Sequence, residues 1–414
     1  MTETQMQLPL YRNPYRPGAG HMPPHLAGRK DEKEEFERLL DQDTVSQNVV
    51  LTGLRGVGKT VLLETLKPIA LQKGWQWAAN DLSETTSVSE RKLALRLITD
   101  LSVITSGVVV SAPAKPAVGF VPMASMETQA PLTYEVLLAV YNNAPGLESD
   151  KIKAVLEFAA QVLRPHGRDR VIFAYDEAQN LSDNADRDEY PLSVLLDVFQ
   201  SIQRKGIAFM LVLTGLPTLF PKLVEARTYA ERMFHVITIG RLTEDESRDA
   251  IVTPLTDFPI RFSEESVVMI VTETAGYPYF IQFMCREVYD VWIAHVGSND
   301  VPTVPIRPIQ LKLDQDFFAG RWAKVTDRQR QMLWVIAKLD RGDEEFTIQE
   351  VVSRSRVLLP KGFGASHASQ ILSALADQGL IYKNRFGKYT FAVPLLGKFI
   401  LRTYEPPNEL ELPV

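Results

Sequence analysis

Apolar residues along the chain gather into runs that do not alternate: Val49-Val50-Leu51, Val171-Ile172-Phe173-Ala174-Tyr175 and Ile207-Ala208-Phe209-Met210-Leu211-Val212-Leu213. Continuous character of this kind predicts strands buried on both faces, the habit of parallel sheets. A further strand is expected at 75–80. Apolar positions at helical spacing predict helices at 31–40, with acids in the first turn, and at 60–66, 89–101, 151–163 and 192–202. The helix over 151–163 stops at Arg164-Pro165-His166-Gly167. Strands that alternate with helices predict an α/β fold, a parallel sheet in a three-layer αβα arrangement.

Three segments break this pattern. Residues 1–24 carry Pro9, Pro14, Pro17, Pro23 and Pro24 with Tyr11 and Tyr15 between them, the composition of an extended arm. Between 106 and 131, Val-rich pieces are cut by Pro113, Pro116, Gly119 and Pro122, which reads as an insertion, a hairpin. From Leu242 onward helices dominate. Residues 322–404 hold three helix patterns, at 327–339, after Thr347 and at 366–378, then two short strands around Lys383-Asn384-Arg385-Phe386-Gly387-Lys388. That order is that of a winged helix-turn-helix.

With 414 residues the chain is too long for one core and predicts two or three domains. Its 45% hydrophobic and 23% charged content is that of a globular protein, and a net charge of -6 offers no global attraction to nucleic acid or anionic lipid. The charge is unevenly placed, however. Between Phe346 and Arg402 eight basic residues face two acids, so an acidic chain ends in a basic module. The single Cys285 leaves no intrachain disulfide and predicts a reducing compartment. The N-terminus lacks the apolar run of a signal peptide, and the longest uncharged stretches, 101–114 and 206–221, are too short to span a bilayer. A cytoplasmic protein with no membrane partner is expected.

Chemistry concentrates directly after the first apolar run, at Gly53-Leu54-Arg55-Gly56-Val57-Gly58-Lys59-Thr60, a complete G-x-x-x-x-G-K-[ST] phosphate loop. Its glycines allow tight and left-handed backbone, so successive N–H groups can point at phosphate oxygens. The helix that begins at Thr60 and Val61 turns its positive end to the same anion. Lys59 is expected to reach the β- and γ-phosphates and the Thr60 hydroxyl to ligate Mg²⁺. The run at 171–175 ends in Asp176-Glu177, at the end of a parallel strand where open α/β sheets bind ligands. Asp176 is expected to hold Mg²⁺ through water and Glu177 to polarise the attacking water. A kinase has less need of that second carboxylate, so ATP hydrolysis is favoured. Thr214 either places a hydroxyl near the γ-phosphate or caps the turn Thr214-Gly215-Leu216-Pro217.

Together these residues resemble the AAA+ ATPases, in the branch shared by origin-recognition-like replication initiators and the STAND signalling ATPases. Pro24-His25-Leu26-Ala27-Gly28-Arg29 looks like the segment that in this family lies along adenine, which implies base contacts from Leu26, Gly28 and Arg29. Thr214 falls at the family's sensor 1 place, where Asn is commoner. Tyr229-Ala230-Glu231-Arg232-Met233-Phe234 resembles the stretch that supplies an arginine finger, which makes Arg232 either that finger or one half of a surface salt bridge. Leu242-Thr243-Glu244-Asp245-Glu246 looks like the start of the helical lid. At Gly276-Tyr277-Pro278-Tyr279 the sequence departs from the origin-recognition pattern: Tyr279 stands near the place of the sensor 2 arginine, and the Gly-x-Pro form, with Pro278 at the nucleotide, is closer to STAND proteins.

The resemblance implies an arm at 1–24, a nucleotide-binding domain at 25–240, a lid at 241–320 and a winged helix at 321–414. Two functions are consistent with it. One is an ATPase that couples ATP turnover to conformational change and assembly into a homo-oligomer and acts with double-stranded DNA, through Lys383, Arg385 and Lys388 on the wing. The other is a STAND-like switch with slow hydrolysis, whose nucleotide state gates a protein partner.

Overall fold

The computed structural model describes residues 12–18, 20–83, 89–112, 128–258, 260–294, 303–339, 344–384 and 387–406. They fall into two units. One comprises Lys30–Thr52 and Leu62–Thr238; the other comprises the described residues of Met1–Arg29, Gly53–Val61 and Ile239–Val414.

The first unit runs α1 (Lys30–Leu40), β1 (Asn48–Thr52), α2 (Lys59–Gln72, from Leu62), β2 (Gln76–Asp81), α3 (Glu90–Thr105), β3 (Val109–Ala112), β4 (Thr128–Pro131), α4 (Tyr134–Asn143), α5 (Glu148–Leu163), β5 (Val171–Asp176), α6 (Pro191–Gln203), β6 (Phe209–Gly215), α7 (Leu219–Ala226), α8 (Ala230–Met233) and β7 (Phe234–Thr238). The apolar runs form a parallel sheet in the order β2-β5-β6-β1-β7. Every residue of β1, β5 and β6 is buried, which is why these strands carry no alternation. Phe173 meets Phe199 edge-on at 5.4 Å and Phe209 at 5.8 Å in the core between β5, α6 and β6. Asn48, a buried polar residue at the start of β1, is hydrogen-bonded: its Oδ1 accepts from Leu211 N (2.7 Å) and Gln203 Nε2 (2.8 Å), so a side chain locks the start of β1 to β6.

The expected helices and strands are present with shifted ends. Ser89 caps α3, which continues four residues beyond the predicted stop to Thr105. Of the 106–131 insertion, β3 and β4 form an antiparallel hairpin, and 113–127 lies outside the described residues. The parallel register aligns Leu51 with Thr214, Thr52 with Gly215, and Tyr175 with Leu213, so β1, β5 and β6 end at one edge of the sheet.

The second unit contains α9 (Glu244–Val252), α10 (Glu264–Thr274), α11 (Pro278–Ile293), α12 (Ile306–Leu313), α13 (Ala319–Trp322), α14 (Asp327–Ala337), α15 (Ile348–Leu358), α16 (Ala365–Asp377), β8 (Ile381–Lys383), β9 (Tyr389–Phe391) and α17 (Leu396–Thr403). Capping boxes at Thr243/Glu246, Thr326/Gln329 and Thr347/Glu350 start α9, α14 and α15 by satisfying orphan N–H groups. The three helices α14–α16 followed by the β8–β9 hairpin keep the predicted order, and α17 closes the module: Phe399 stacks on Phe318 at 4.9 Å and Arg402 pairs with Asp314 at 2.5 Å. Among the described residues no helix is long and apolar enough to cross a membrane.

The arm differs from expectation. Residues 12–18 are irregular, as their prolines require, yet Tyr15 is buried in the core of α9–α11, where its hydroxyl donates to Ile251 O and its ring lies 6.1 Å from Phe262. Burial of that hydroxyl pushes its pKa far above the ordinary value. Tyr15→Ala is therefore expected to cost about 3 kcal/mol in urea unfolding followed by Trp292 fluorescence; a loss under about 1 kcal/mol would show that the arm contributes little to this core.

Candidate functional site

The phosphate loop leaves β1 and enters α2 with the backbone its glycines permit: φ is 78° at Gly56 and 92° at Gly58. A Cβ on Gly53 would stand 2.4 Å from Ile239 O, so only glycine fits there. Four of the loop carbonyls are engaged by a named donor. Lys59, itself buried, donates to Gly53 O (3.0 Å) and Leu54 O (2.9 Å). Tyr279 N donates to Gly56 O at 3.1 Å, and Arg29 Nη2 donates to Val57 O at 3.0 Å. Val57 is buried, Thr60 and Val61 sit in the first turn of α2, and Arg55 is exposed.

Arg29 is buried and left-handed (φ 67°), and the same Nη2 also donates to Gly240 O at 2.7 Å. Its guanidinium thus ties the loop to the start of the lid segment. Gly28 shares the left-handed conformation, and Leu26 lies half-buried two residues before it. Pro278 begins α11 at the position where its missing N–H costs nothing. The segment 26–29, the loop and the start of α11 are therefore brought together by hydrogen bonds that run through Arg29 and Tyr279.

At the sheet edge Asp176 is buried at 4% exposure and accepts from Glu177 N at 2.8 Å. Glu177 is exposed and adopts φ 51°, a strained conformation for a residue with a side chain. Gln179, which sequence reasoning passed over, donates to the Glu177 carboxylate, while its Oε1 accepts from Leu216 N at 3.2 Å. Lys222, its charge disfavoured by burial, donates to Gln179 O at 2.7 Å. Thr214 lies inside β6, which runs two residues beyond its predicted end to Gly215. Its hydroxyl and that of Thr52, at the end of β1, are buried without a hydrogen-bond partner among the described residues.

Arg232, on α8, is exposed and makes no ion pair among the described residues. The cation that does pair in this stretch is Arg227, fork-to-fork with Asp197 (2.9 and 2.7 Å), which Tyr229 Oη also reaches at 2.6 Å. Burial pushes the Asp197 carboxyl up, but these hydrogen bonds outweigh it and hold the group below its usual range. On the wing, Lys383 and Lys388 are exposed; Lys388 Nζ lies 3.3 Å from Glu345, and Arg385 is outside the described residues.

Residues 25–219 match the family model described as AAA ATPase domain, and 315–400 match one described as a domain of unknown function (DUF8462). The chain thus carries an AAA-type P-loop ATPase domain, as its motifs and sheet imply. Among solved structures it is similar to a Walker-type ATPase of Pyrococcus abyssi, at 14% identity over 91% of this chain and 96% of that one, with a TM-score of 0.57, a likeness of fold. Also similar are an Aeropyrum pernix Orc1 protein solved in complex with DNA (15% identity, 92% and 94% covered, TM-score 0.47) and Cdc6p from Pyrobaculum aerophilum (12%, 93% and 96%, 0.45). No curated protein matches the chain.

If Arg29 and Tyr279 hold the loop together, Arg29→Met should raise hydrogen exchange of the Tyr279 amide by roughly 30- to 100-fold, the equivalent of 2–3 kcal/mol. Unchanged protection at Tyr279 would mean the two anchors act independently.

Proposed function

We propose that the chain is an ATP hydrolase whose nucleotide cycle drives conformational change and assembly, and that it acts on double-stranded DNA through its C-terminal module. The observation that carries the hydrolytic part is the combination of a complete phosphate loop, with its carbonyls held away, and an acid pair at the sheet edge from which that loop departs.

In this reading the loop N–H groups and Lys59 bind the phosphates, with the 26–29 segment and Pro278 at the base. The donor types suit Mg²⁺, since the Thr60 hydroxyl and the buried Asp176 carboxylate are both hard oxygen ligands. When bound, the ion supplies charge neutralisation at the phosphate oxygens. Glu177, set by Gln179, takes the proton of the attacking water, and Thr214 offers an otherwise unsatisfied hydroxyl. Arg232, exposed and without an ion pair among the described residues, is the finger for a neighbouring copy.

DNA as partner is supported by the basic module: Ser366, His367, Ser369, Gln370 and Ser373 are exposed on α16, and Lys383 and Lys388 are exposed on the hairpin. With no Arg or Lys on that face of α16, binding through phosphates rather than base edges is favoured. One observation favours the switch reading instead. Tyr279, standing where an arginine is expected, spends its backbone N–H on the loop, which suits a slow nucleotide-gated device with a protein partner.

Glu177→Gln should lower ATP turnover by about 100-fold or more while ATP affinity stays within roughly threefold, and Lys59→Ala should lose the affinity itself. Turnover that survives Glu177→Gln would falsify the assignment of the base. Replacing Lys383, Arg385 and Lys388 together by Ala should weaken duplex binding and flatten its salt dependence by about 3 in log–log slope. Equal affinity and slope in the triple variant would favour the protein-partner reading.

A further inference from the structure

Arg232 stands on α8, a helix of four residues and too short to fix its own orientation. Burial of Ala230 and Met233 turns Glu231 and Arg232 outward. The direction in which Arg232 points then depends on how the chain enters the helix, and that entry is clamped. Arg227 closes α7 and Tyr229 immediately precedes α8, and both reach one carboxylate, Asp197 on α6. Arg227 Nε and Nη2 donate to it at 2.9 and 2.7 Å, and Tyr229 Oη donates at 2.6 Å. The backbone closes the same turn: Ala230 N donates to Arg227 O at 2.9 Å and Arg232 N to Tyr229 O at 3.0 Å.

A single half-exposed ion pair contributes little, but a two-pronged guanidinium–carboxylate pair with a third donor fixes direction as well as distance. The clamp also has a second footing. Arg227 Nη1 donates to Ser193 Oγ at 2.6 Å, and the Ser193 hydroxyl donates in turn to Asp183. Asp183 accepts from Leu192 N and Ser193 N at 2.9 and 3.1 Å, which caps α6. It lies seven residues after Asp176, in the loop that follows the acid pair. The turn before Arg232 is therefore held both by the first two turns of α6 and by that loop.

Resting on the finger reading above, we infer that Asp197, by gripping Arg227 and Tyr229, is the mount that aims Arg232 at the nucleotide of a neighbouring copy. Asp197, Arg227 and Tyr229 are positioning residues, since they act through Arg232 and touch no reacting atom. The mark of such a mount is a defect felt in trans: a copy that lacks it keeps a competent site of its own and fails its neighbour.

The test is steady-state ATP turnover of the full chain at saturating ATP, for variants alone and in equimolar mixtures. Because a misplacement of about 1 Å can cost roughly 100-fold, Asp197→Ala should lower turnover by about 10- to 100-fold, with ATP affinity within roughly threefold of wild type. Arg232→Ala should lose at least as much. Tyr229→Phe removes one hydroxyl and should show the same behaviour in weaker form, so it carries the test if Asp197→Ala does not fold. Glu177→Gln lacks the base but keeps its own Arg232. Mixed with either Asp197→Ala or Arg232→Ala, it should raise turnover to about fivefold above the mean of the two separate proteins. Asp197→Ala mixed with Arg232→Ala should regain nothing. Asp197→Ala at wild-type turnover overturns the inference. So does rescue by Glu177→Gln of Arg232→Ala but not of Asp197→Ala, which would place the damage in the copy's own site and leave the finger standing. Arg232→Ala that turns over like wild type overturns the finger reading itself.

Discussion

A phosphate loop works only if its peptide planes turn their N–H groups inward, and a peptide plane can be held by its other end. In this protein the carbonyls of Gly53, Leu54, Gly56 and Val57 are held by Lys59, Tyr279 and Arg29. Each bond is of ordinary strength, but together they fix the orientation of most of the loop. Glycine makes the conformation accessible and the outer donors select it. Two of those donors come from far along the chain, Arg29 before the loop and Tyr279 at the start of α11, so the shape of the anion cradle depends on tertiary structure as much as on the eight-residue motif.

The sheet edge obeys a different constraint. Burying β1, β5 and β6 on both faces leaves polar residues only at their ends, where Asp176, Glu177, Thr52 and Thr214 collect. Glu177 pays for its position with a left-handed backbone, and Gln179 holds its carboxylate against the end of β6. The hydroxyls of Thr52 and Thr214, buried without a partner among the described residues, carry a similar desolvation cost. Unfavourable terms of this kind gather where polar chemistry has to emerge from a dry sheet.

Much of this was legible beforehand because it is local. Continuous apolar runs disclosed β1, β5 and β6, helical spacing disclosed α3, Thr347 marked the start of α15, and the loop and acid pair were complete as strings. Other elements left weak traces. β7 reads Phe-His-Val-Ile-Thr, with neither continuous burial nor clean alternation, and α17 is a short helix that begins two residues after Pro394. Tyr15 looked like arm because proline and tyrosine composition says nothing of what a ring will pack against. Arg29 matched a base-binding segment, yet its guanidinium is spent on the carbonyls of Val57 and Gly240, a use that only the folded chain brings about.

The division of the chain adds one more consequence. It passes between its two units at 29/30, 52/53, 61/62 and 238/239, and the phosphate loop belongs with the lid helices although the strand before it and most of the helix after it belong with the sheet. The boundary drawn by sequence order is therefore not the boundary drawn by packing. Cutting the gene after residue 240 would keep every residue of the motif and discard Tyr279, one of its anchors. The nucleotide-binding module of this protein cannot be borrowed as a contiguous part, and any evolutionary exchange of its C-terminal region would have had to re-create a donor for Gly56.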